Sequence, residues 1–310
     1  MWDRSFLPPP PPPPSRRLVY PSRQYFYSFC SSSSSSSPSF SSSASASAVT
    51  ISYEGAANNI AVVTLNRPGS LNAMTVTMGE EFKKTIESLP ESVRCVVLTG
   101  SGRAFSAGGD LDFLEARAND NPHHNTEEML RFYDRFLVVR KCKVPVLSAI
   151  HGPAVGAGLC LAMATDIRVT HKECVLQFPF SALGLHPGMA ATFFMPIVAG
   201  QEAAFRLLLT GDKVTGEEAL KLGLVSCVEE KAEDVVTTAL EMAERIAAHP
   251  HVGIATTLAT LRMHQDAAVG GLKAALVREA DAQAACYATP ELAQKVADTK
   301  AAIASKSKNK

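Results

Sequence analysis

The chain has 310 residues, 46% hydrophobic and 19% charged, which suffices for one large domain or two small ones. Lys and Arg number 30 and so do Asp and Glu, so the charge balance argues against a general nucleic-acid binder or a basic membrane-surface protein. Seven cysteines without a CxxC pair point to a reducing compartment and to thiols used as small buried hydrophobes.

Residues 8–14 are all proline and 31–37 all serine. Arg4, Arg16, Arg17 and Arg23 face a single acid, Asp3, before Glu54. Such a segment cannot pack a core. Residues 1–48 therefore read as a disordered targeting segment. Their arginine-bearing, serine-rich, acid-poor character suits a mitochondrial matrix address. A plastid address and a tail with no address stay open. No apolar run is expected to reach the length of a membrane span.

From residue 49 the chain alternates strand and helix patterns. Val49–Tyr53 and Ile60–Leu65 read as a hairpin around the turn residues 55–59. Asn66–Ala73 is a loop. Met78, Phe82, Ile86 and Leu89 recur at helical spacing after Thr75. Val93–Thr99 is a buried strand. The stretch from Asp110 to Asn125 reads as polar and irregular, with Thr126 capping the next helix. Val144–Ile150, Ile167–Thr170, Val175–Phe178 and Leu224–Val228 read as further strands. Residues 190–210 read as a helix ending at Gly211. From Ala232 onward the pattern is helical, divided by Pro250, Gly270-Gly271 and Pro290. The expected fold class is α/β, with a ββα core over 49–230 and a C-terminal helical region over 231–310.

Two stretches stand out. His151-Gly152-Pro153-Ala154-Val155-Gly156-Ala157-Gly158 leaves a strand, bends through small residues and enters a helix ending near Asp166. Ala104-Phe105-Ser106-Ala107-Gly108-Gly109-Asp110-Leu111 is a second small-residue turn after a buried strand. Two such turns on neighbouring strands can each aim one backbone N–H at a common point. Two convergent donors make an oxyanion hole for an acyl-transfer or enolate transition state.

These motifs resemble the crotonase superfamily, also called the enoyl-CoA hydratase/isomerase family. The resemblance rests on Thr64-Leu65-Asn66-Arg67-Pro68 with Leu71-Asn72-Ala73 and on the two small-residue turns. It extends to Leu183-Gly184 with Pro187-Gly188, to Leu209-Thr210-Gly211-Asp212, and to Ala219 with Gly223-Leu224-Val225. It spans about 50 to 306. It implies the crotonase (ClpP-like) fold of stacked ββα units with a C-terminal helical part, in homotrimers or homohexamers. It also implies an acyl-CoA ligand in fatty-acid or branched-chain amino-acid catabolism. Coenzyme A would enter as part of the substrate, with no bound cofactor and no metal. The N–H groups of Ala107 and Ala157 would form the oxyanion hole. Asn66, Arg67, Asn72 and Ala73 would lie along the CoA, with Ala107, Gly108, Gly109 and Asp110 beside it. Lys306 and Lys308 would be candidate phosphate contacts.

The chain departs from the family where the hydratase chemistry lies. Water addition needs one carboxylate to take a proton from water and another to protonate the α-carbon. The family's first position is Cys160 here, the second is Phe180, and the isomerase position one turn beyond is Gly188. His186 is a candidate general base and Cys160 a candidate nucleophile. Glu115, Glu127 and Glu128 could reach the acyl group from the intervening segment. Asp110, Asp166 and His151 read as structural. Three functions stay open: a hydratase, isomerase or 3-hydroxyacyl-CoA thioester hydrolase; a non-catalytic acyl-CoA binder; and an RNA-binding or assembly role that the charge balance does not support.

Overall fold

The computed structural model describes residues 47–118 and 120–308, so most of the expected targeting segment lies outside the described residues. β1 (Val49–Glu54) and β2 (Ile60–Leu65) form the hairpin, antiparallel, with Val49 opposite Leu65. Thr75 caps α1 (Val76–Glu87) by accepting the Met78 N–H at 3.2 Å. β3 (Cys95–Gly100) then runs parallel to β2.

The next stretch differs from the sequence expectation. It is helical from Leu111: α2 covers Leu111–Ala118. The Asp110 carboxylate accepts the Asp112 N–H at 3.1 Å, and Phe113 stacks on Phe132 at 5.1 Å. α3 (Pro122–Leu137) begins four residues before Thr126. Asn121 is its cap, accepting the His123 N–H at 2.9 Å, and Pro122 occupies the first helical position. Thr126 lies inside the helix.

β4 (Val146–Ile150) leads into the short β5 (Ala154–Val155) and α4 (Ala157–Met163). β6 (Ile167–His171) and β7 (Leu176–Gln177) follow. α5 (Ala191–Thr210) is long and apolar enough to cross a membrane by length and composition alone. Its backbone breaks at Gly200 (φ 81°, ψ 164°), so it is two shorter helices, and the first buries Phe193, Phe194 and Met195. β8 (Lys213–Val214), α6 (Gly216–Lys221) and β9 (Cys227–Glu229) complete the alternation. α7 (Asp234–Ala247), α8 (His251–Ala267), α9 (Leu272–Tyr287) and α10 (Pro290–Lys308) are divided at Pro250, Gly270-Gly271 and Pro290 as expected.

The main sheet has the order β1-β2-β3-β4-β6-β9, parallel throughout except for the hairpin. A small sheet, β5-β7-β8, is formed by short strands interleaved along the chain with β4, β6 and β9. The central strands read as unbroken apolar runs because both faces are covered. Val96 and Leu98 of β3 face the larger core with α1, α3 and α5, while Cys95 and Val97 face α7. Val235, Ala239 and Ala243 recur every four residues on α7 and lay that helix on the sheet.

Candidate functional site

The two small-residue turns lie side by side, stitched by their own backbones. Val155 N–H donates to the Ser106 carbonyl at 2.9 Å and Ser106 N–H to the Pro153 carbonyl at 3.2 Å. Gly108 sits between the turns at φ +93°; a Cβ there would fall 2.6 Å from the Val155 oxygen and 3.3 Å from the Ala157 nitrogen. Only glycine lets the turns approach this closely.

The Ala107 amide does not serve as a hole donor, because it donates to the Leu71 carbonyl at 2.8 Å. Its neighbour Gly108 donates to Ser106 Oγ at 3.2 Å. Gly109 is different. Met74 bridges to it by donating its N–H to the Gly108 carbonyl at 2.7 Å and accepting the Asp110 N–H at its own carbonyl at 3.1 Å. This leaves the Gly109 N–H on the other side of the chain, with no acceptor among the described residues. Ala157 N–H, at the first position of α4, likewise has none. Gly109 and Ala157 both line one cavity of about 1420 Å³.

Cavity walls come from both turns, from α2 and α3, and from α9 and α10. Ala73, Ala107, Gly108, Gly109 and Asp110 line it; Asn66, Arg67 and Asn72 do not. Asn72 is fully buried and acts as a clasp instead. Its Oδ1 accepts the Arg67 N–H at 2.9 Å, and its Nδ2 donates to the carbonyls of Ala104 at 2.8 Å and Ser101 at 2.9 Å. Arg67 reaches the Ala73 carbonyl at 2.7 Å and Asp110 at 3.4 Å. Asn66 donates from Nδ2 to the Ser47 carbonyl at 3.0 Å, so Asn66, Arg67 and Asn72 hold the backbone around the loop rather than face the cavity. Arg103, Lys295 and Lys300 bring positive charge to the lining; Lys300 is bonded to Asp112 and Glu115, each at 2.5 Å, which ties α10 to α2. The side chains of Lys306 and Lys308 lie outside the described residues.

The candidate acid–base groups are not at the cavity wall. Cys160 is fully buried; burial pushes its thiol well above the ordinary value, and the Glu279 charge pushes the same way. It is a packing residue, not a nucleophile. His186 is half-buried, does not line the cavity, and commits Nδ1 to the Pro187 carbonyl at 2.6 Å. Burial, with help from Arg278, holds its pKa below the ordinary value. Glu127 and Glu128 pair with Arg131 on the exposed side of α3, and neither they nor Glu115 lines the cavity. Phe180 lines it with an apolar ring. Asp166 and His151 are structural as expected. Asp166 pairs with Arg262 at 2.6 Å, and His151 joins Thr99 to the Gly102 carbonyl.

Three polar residues of α3 and α9 were not legible from the sequence. Tyr133 of α3 donates to Gln283 Oε1 of α9 at 2.8 Å, and Gln283 Nε2 donates to the His186 carbonyl at 2.8 Å. Both side chains line the cavity. One turn earlier on α9, Glu279 is fully buried, accepting the N–H groups of Ala190 at 2.7 Å and Thr192 at 2.8 Å. The spacing of Glu279, Gln283 and Tyr287 puts them on one helix face, but nothing local says that this face is inward.

Burial raises the Glu279 carboxyl to about 7 against the opposing pull of its hydrogen bonds. A carboxyl raised in the folded state holds its proton more tightly when folded. Its stabilising contribution is complete below the ordinary value of 4.5 and is lost as the pH rises through about 7. Glu279→Gln is expected to flatten the stability–pH curve across that window by on the order of 3 kcal/mol. Urea denaturation at several pH values checks this; parallel curves for the two proteins would contradict it.

Residues 55–298 match the enoyl-CoA hydratase/isomerase family. A probable enoyl-CoA hydratase of Mycobacterium tuberculosis is 38% identical over 206 residues, covering 66% of this chain and 78% of that protein. A probable mitochondrial enoyl-CoA hydratase of Dictyostelium discoideum is 34% identical over 198 residues, covering 63% of this chain and 69% of that protein. The crystal structure of an enoyl-CoA hydratase/isomerase from Mycobacterium paratuberculosis superposes with a TM-score of 0.73 at 27% identity, covering 81% of this chain and 98% of that one.

Proposed function

Given that the chain belongs to the enoyl-CoA hydratase/isomerase family and has the crotonase fold, we propose that its cavity binds an acyl-CoA thioester and polarises the carbonyl. The observation that carries this reading is the pair of unclaimed amides, Gly109 and Ala157, on adjacent turns at one cavity wall. Donors fixed by the backbone need no rearrangement as negative charge builds on the thioester oxygen. Coenzyme A then extends towards the mouth, where Arg103 and Lys295 offer positive charge to its phosphates.

A second reading, binding without turnover, draws support from the inner end of the cavity. Positions 160, 180 and 188 carry Cys, Phe and Gly, and no glutamate lines the cavity among the described residues. Asp110, Asp112 and Asp298 do line it, but Asp110 is paired with Arg67 and Asp112 with Lys300. Hydration through two carboxylates has no evident pair here.

The deciding experiment mixes the protein with short and medium trans-2-enoyl-CoA. Calorimetry reads binding, and loss of the conjugated thioester absorbance reads turnover. Saturable binding is expected. Turnover above the blank favours the enzyme reading, and binding alone favours the second. No binding sinks the thioester site.

Residues 1–48 fit a mitochondrial matrix address, supported by their composition and by the mitochondrial Dictyostelium relative. The exposed apolar side chains Phe205, Leu209, Leu261 and Met263 support assembly as a homo-oligomer, trimer or hexamer.

A further inference from the structure

The cavity wall at Gly188-Met189 runs into a turn of left-handed backbone. Met189 and Ala190 stand at φ 55° and 62°, and neither is glycine. That conformation is disfavoured for each residue and persists only where the surroundings hold it. Ala190 also begins α5, with no capping side chain of its own. Glu279 reaches across from α9 and supplies the cap. One carboxylate oxygen accepts the Ala190 N–H at 2.7 Å. The other accepts the Thr192 N–H at 2.8 Å and the Thr192 hydroxyl at 2.5 Å.

Gly188 and Met189, at the near end of this turn, line the cavity. Gly188 is hemmed in at the inner end: a Cβ on it would stand 2.5 Å from Tyr133 Oη and 2.7 Å from Gln283 Nε2, in the place an acid at 188 would need. The titratable groups facing Glu279 are the Tyr133 phenol of α3 and the Cys160 thiol of α4. Burial pushes both well above their ordinary values, so both are neutral near pH 7. Arg278 and Asp281, its neighbours on α9, are exposed. The three donors around Glu279 match a carboxylate. A protonated carboxyl turns one oxygen into a donor that meets an N–H, and a hydrogen bond is lost.

From this geometry we infer that Glu279 is a positioning residue: its carboxylate holds the Met189-Ala190 turn and, through it, the wall against which the acyl part of the ligand packs. The inference rests on the thioester reading above and goes beyond it, because Glu279 does not itself line the cavity. Loss of the carboxylate, by protonation or as Glu279→Gln, loosens the wall. Affinity for the acyl part therefore rises with pH as the carboxyl ionises. A purely structural role gives the opposite trend, since the stabilising contribution of Glu279 fades as the pH rises through the same window.

Calorimetry with butyryl-CoA and with coenzyme A, at several pH values on both sides of neutrality, tests it. The ratio of the two affinities cancels the titration of the phosphates. In the unaltered protein that ratio is expected to rise about fivefold with pH, through a midpoint near the Glu279 value of about 7. Glu279→Gln is expected to hold the ratio at its low-pH value throughout. Thr192→Val keeps the carboxylate but removes one donor, so the midpoint is expected to move upward. If Glu279→Gln does not fold, Thr192→Val still reads the midpoint. A flat ratio in the unaltered protein overturns the inference, and so does a step that survives in Glu279→Gln or an unmoved midpoint in Thr192→Val. A second readout needs no ligand. In methyl NMR of isotope-labelled methionine, the Met189 signal, assigned by its loss in Met189→Leu, is expected to shift with the same midpoint and to stay fixed in Glu279→Gln. If no thioester binds at all, the thioester site falls, and this signal alone decides whether Glu279 holds the wall. A Met189 signal that ignores pH overturns the inference.

Discussion

Replacing Ala157 by proline is expected to remove one of the two carbonyl donors while leaving the fold in place. Ala157 is the first residue of α4, where the N–H has no helical partner and proline is well tolerated. The preceding Gly156, at φ 53°, has no Cβ to crowd the ring. A conjugated aryl thioester such as cinnamoyl-CoA reports the effect directly, since polarising its carbonyl shifts its absorbance to the red. That shift is expected on binding to the unaltered protein and largely lost in Ala157→Pro. Turnover of any thioester the protein converts should fall by about 10²–10³. An unchanged red shift in a folded variant would remove Ala157 from the hole. The parallel case at Ala107 should behave differently, because its amide is held by Leu71 and has no proton to offer a ligand.

The second large effect is on stability. Arg262 of α8 is 7% exposed and donates through Nε and Nη2 to both oxygens of Asp166, at 2.8 and 2.6 Å. Its Nη1 reaches the Cys142 carbonyl at 2.5 Å. Asp166 Oδ2 also accepts the Val146 N–H at 2.7 Å, so this one pair fastens α8 to the start of β4. Arg262→Met is expected to lower stability by about 2–4 kcal/mol, because it strands a partly buried carboxylate. The double replacement Asp166→Asn with Arg262→Met should cost less than the sum of the two single changes, since no unpaired charge then remains. Urea denaturation of the four proteins gives the coupling. Simple additivity would show that the pair is not a unit.

Much of the architecture was legible because its signals are local. Val96, Val97 and Leu98 form an unbroken apolar run, as a strand covered on both faces must. Pro250, Gly270-Gly271 and Pro290 divide the last helices because proline fits a first helical turn but not a helix interior, and two glycines at positive φ leave the helical conformation. The start of α3 was misread because Thr126 is a good cap in isolation. The pair Asn121-Pro122 is a better one, and the packing of Phe113 on Phe132 makes a helix of the residues before it. The pairing of the two small-residue turns was also foreseen, from their matching place after two buried strands.

The site is another matter. Which amide of Ala107-Gly108-Gly109 stays free depends on Leu71 and Met74, whose backbones claim the neighbouring groups. Whether Cys160 or His186 faces the cavity depends on how α4 and the 185–188 segment pack, and both turn away. The polar pair at the inner end joins residues 150 apart in the chain, on helices whose spacing alone does not say which face is inward. The sequence by itself determined most of the elements and their order, the family resemblance and the absence of carboxyl groups at positions 160, 180 and 188. Only the tertiary structure decided which N–H groups are free and what fills the place of the missing acids. Secondary structure follows from periodicity and turn chemistry within a few residues, whereas an unclaimed donor is defined by every acceptor that comes near it.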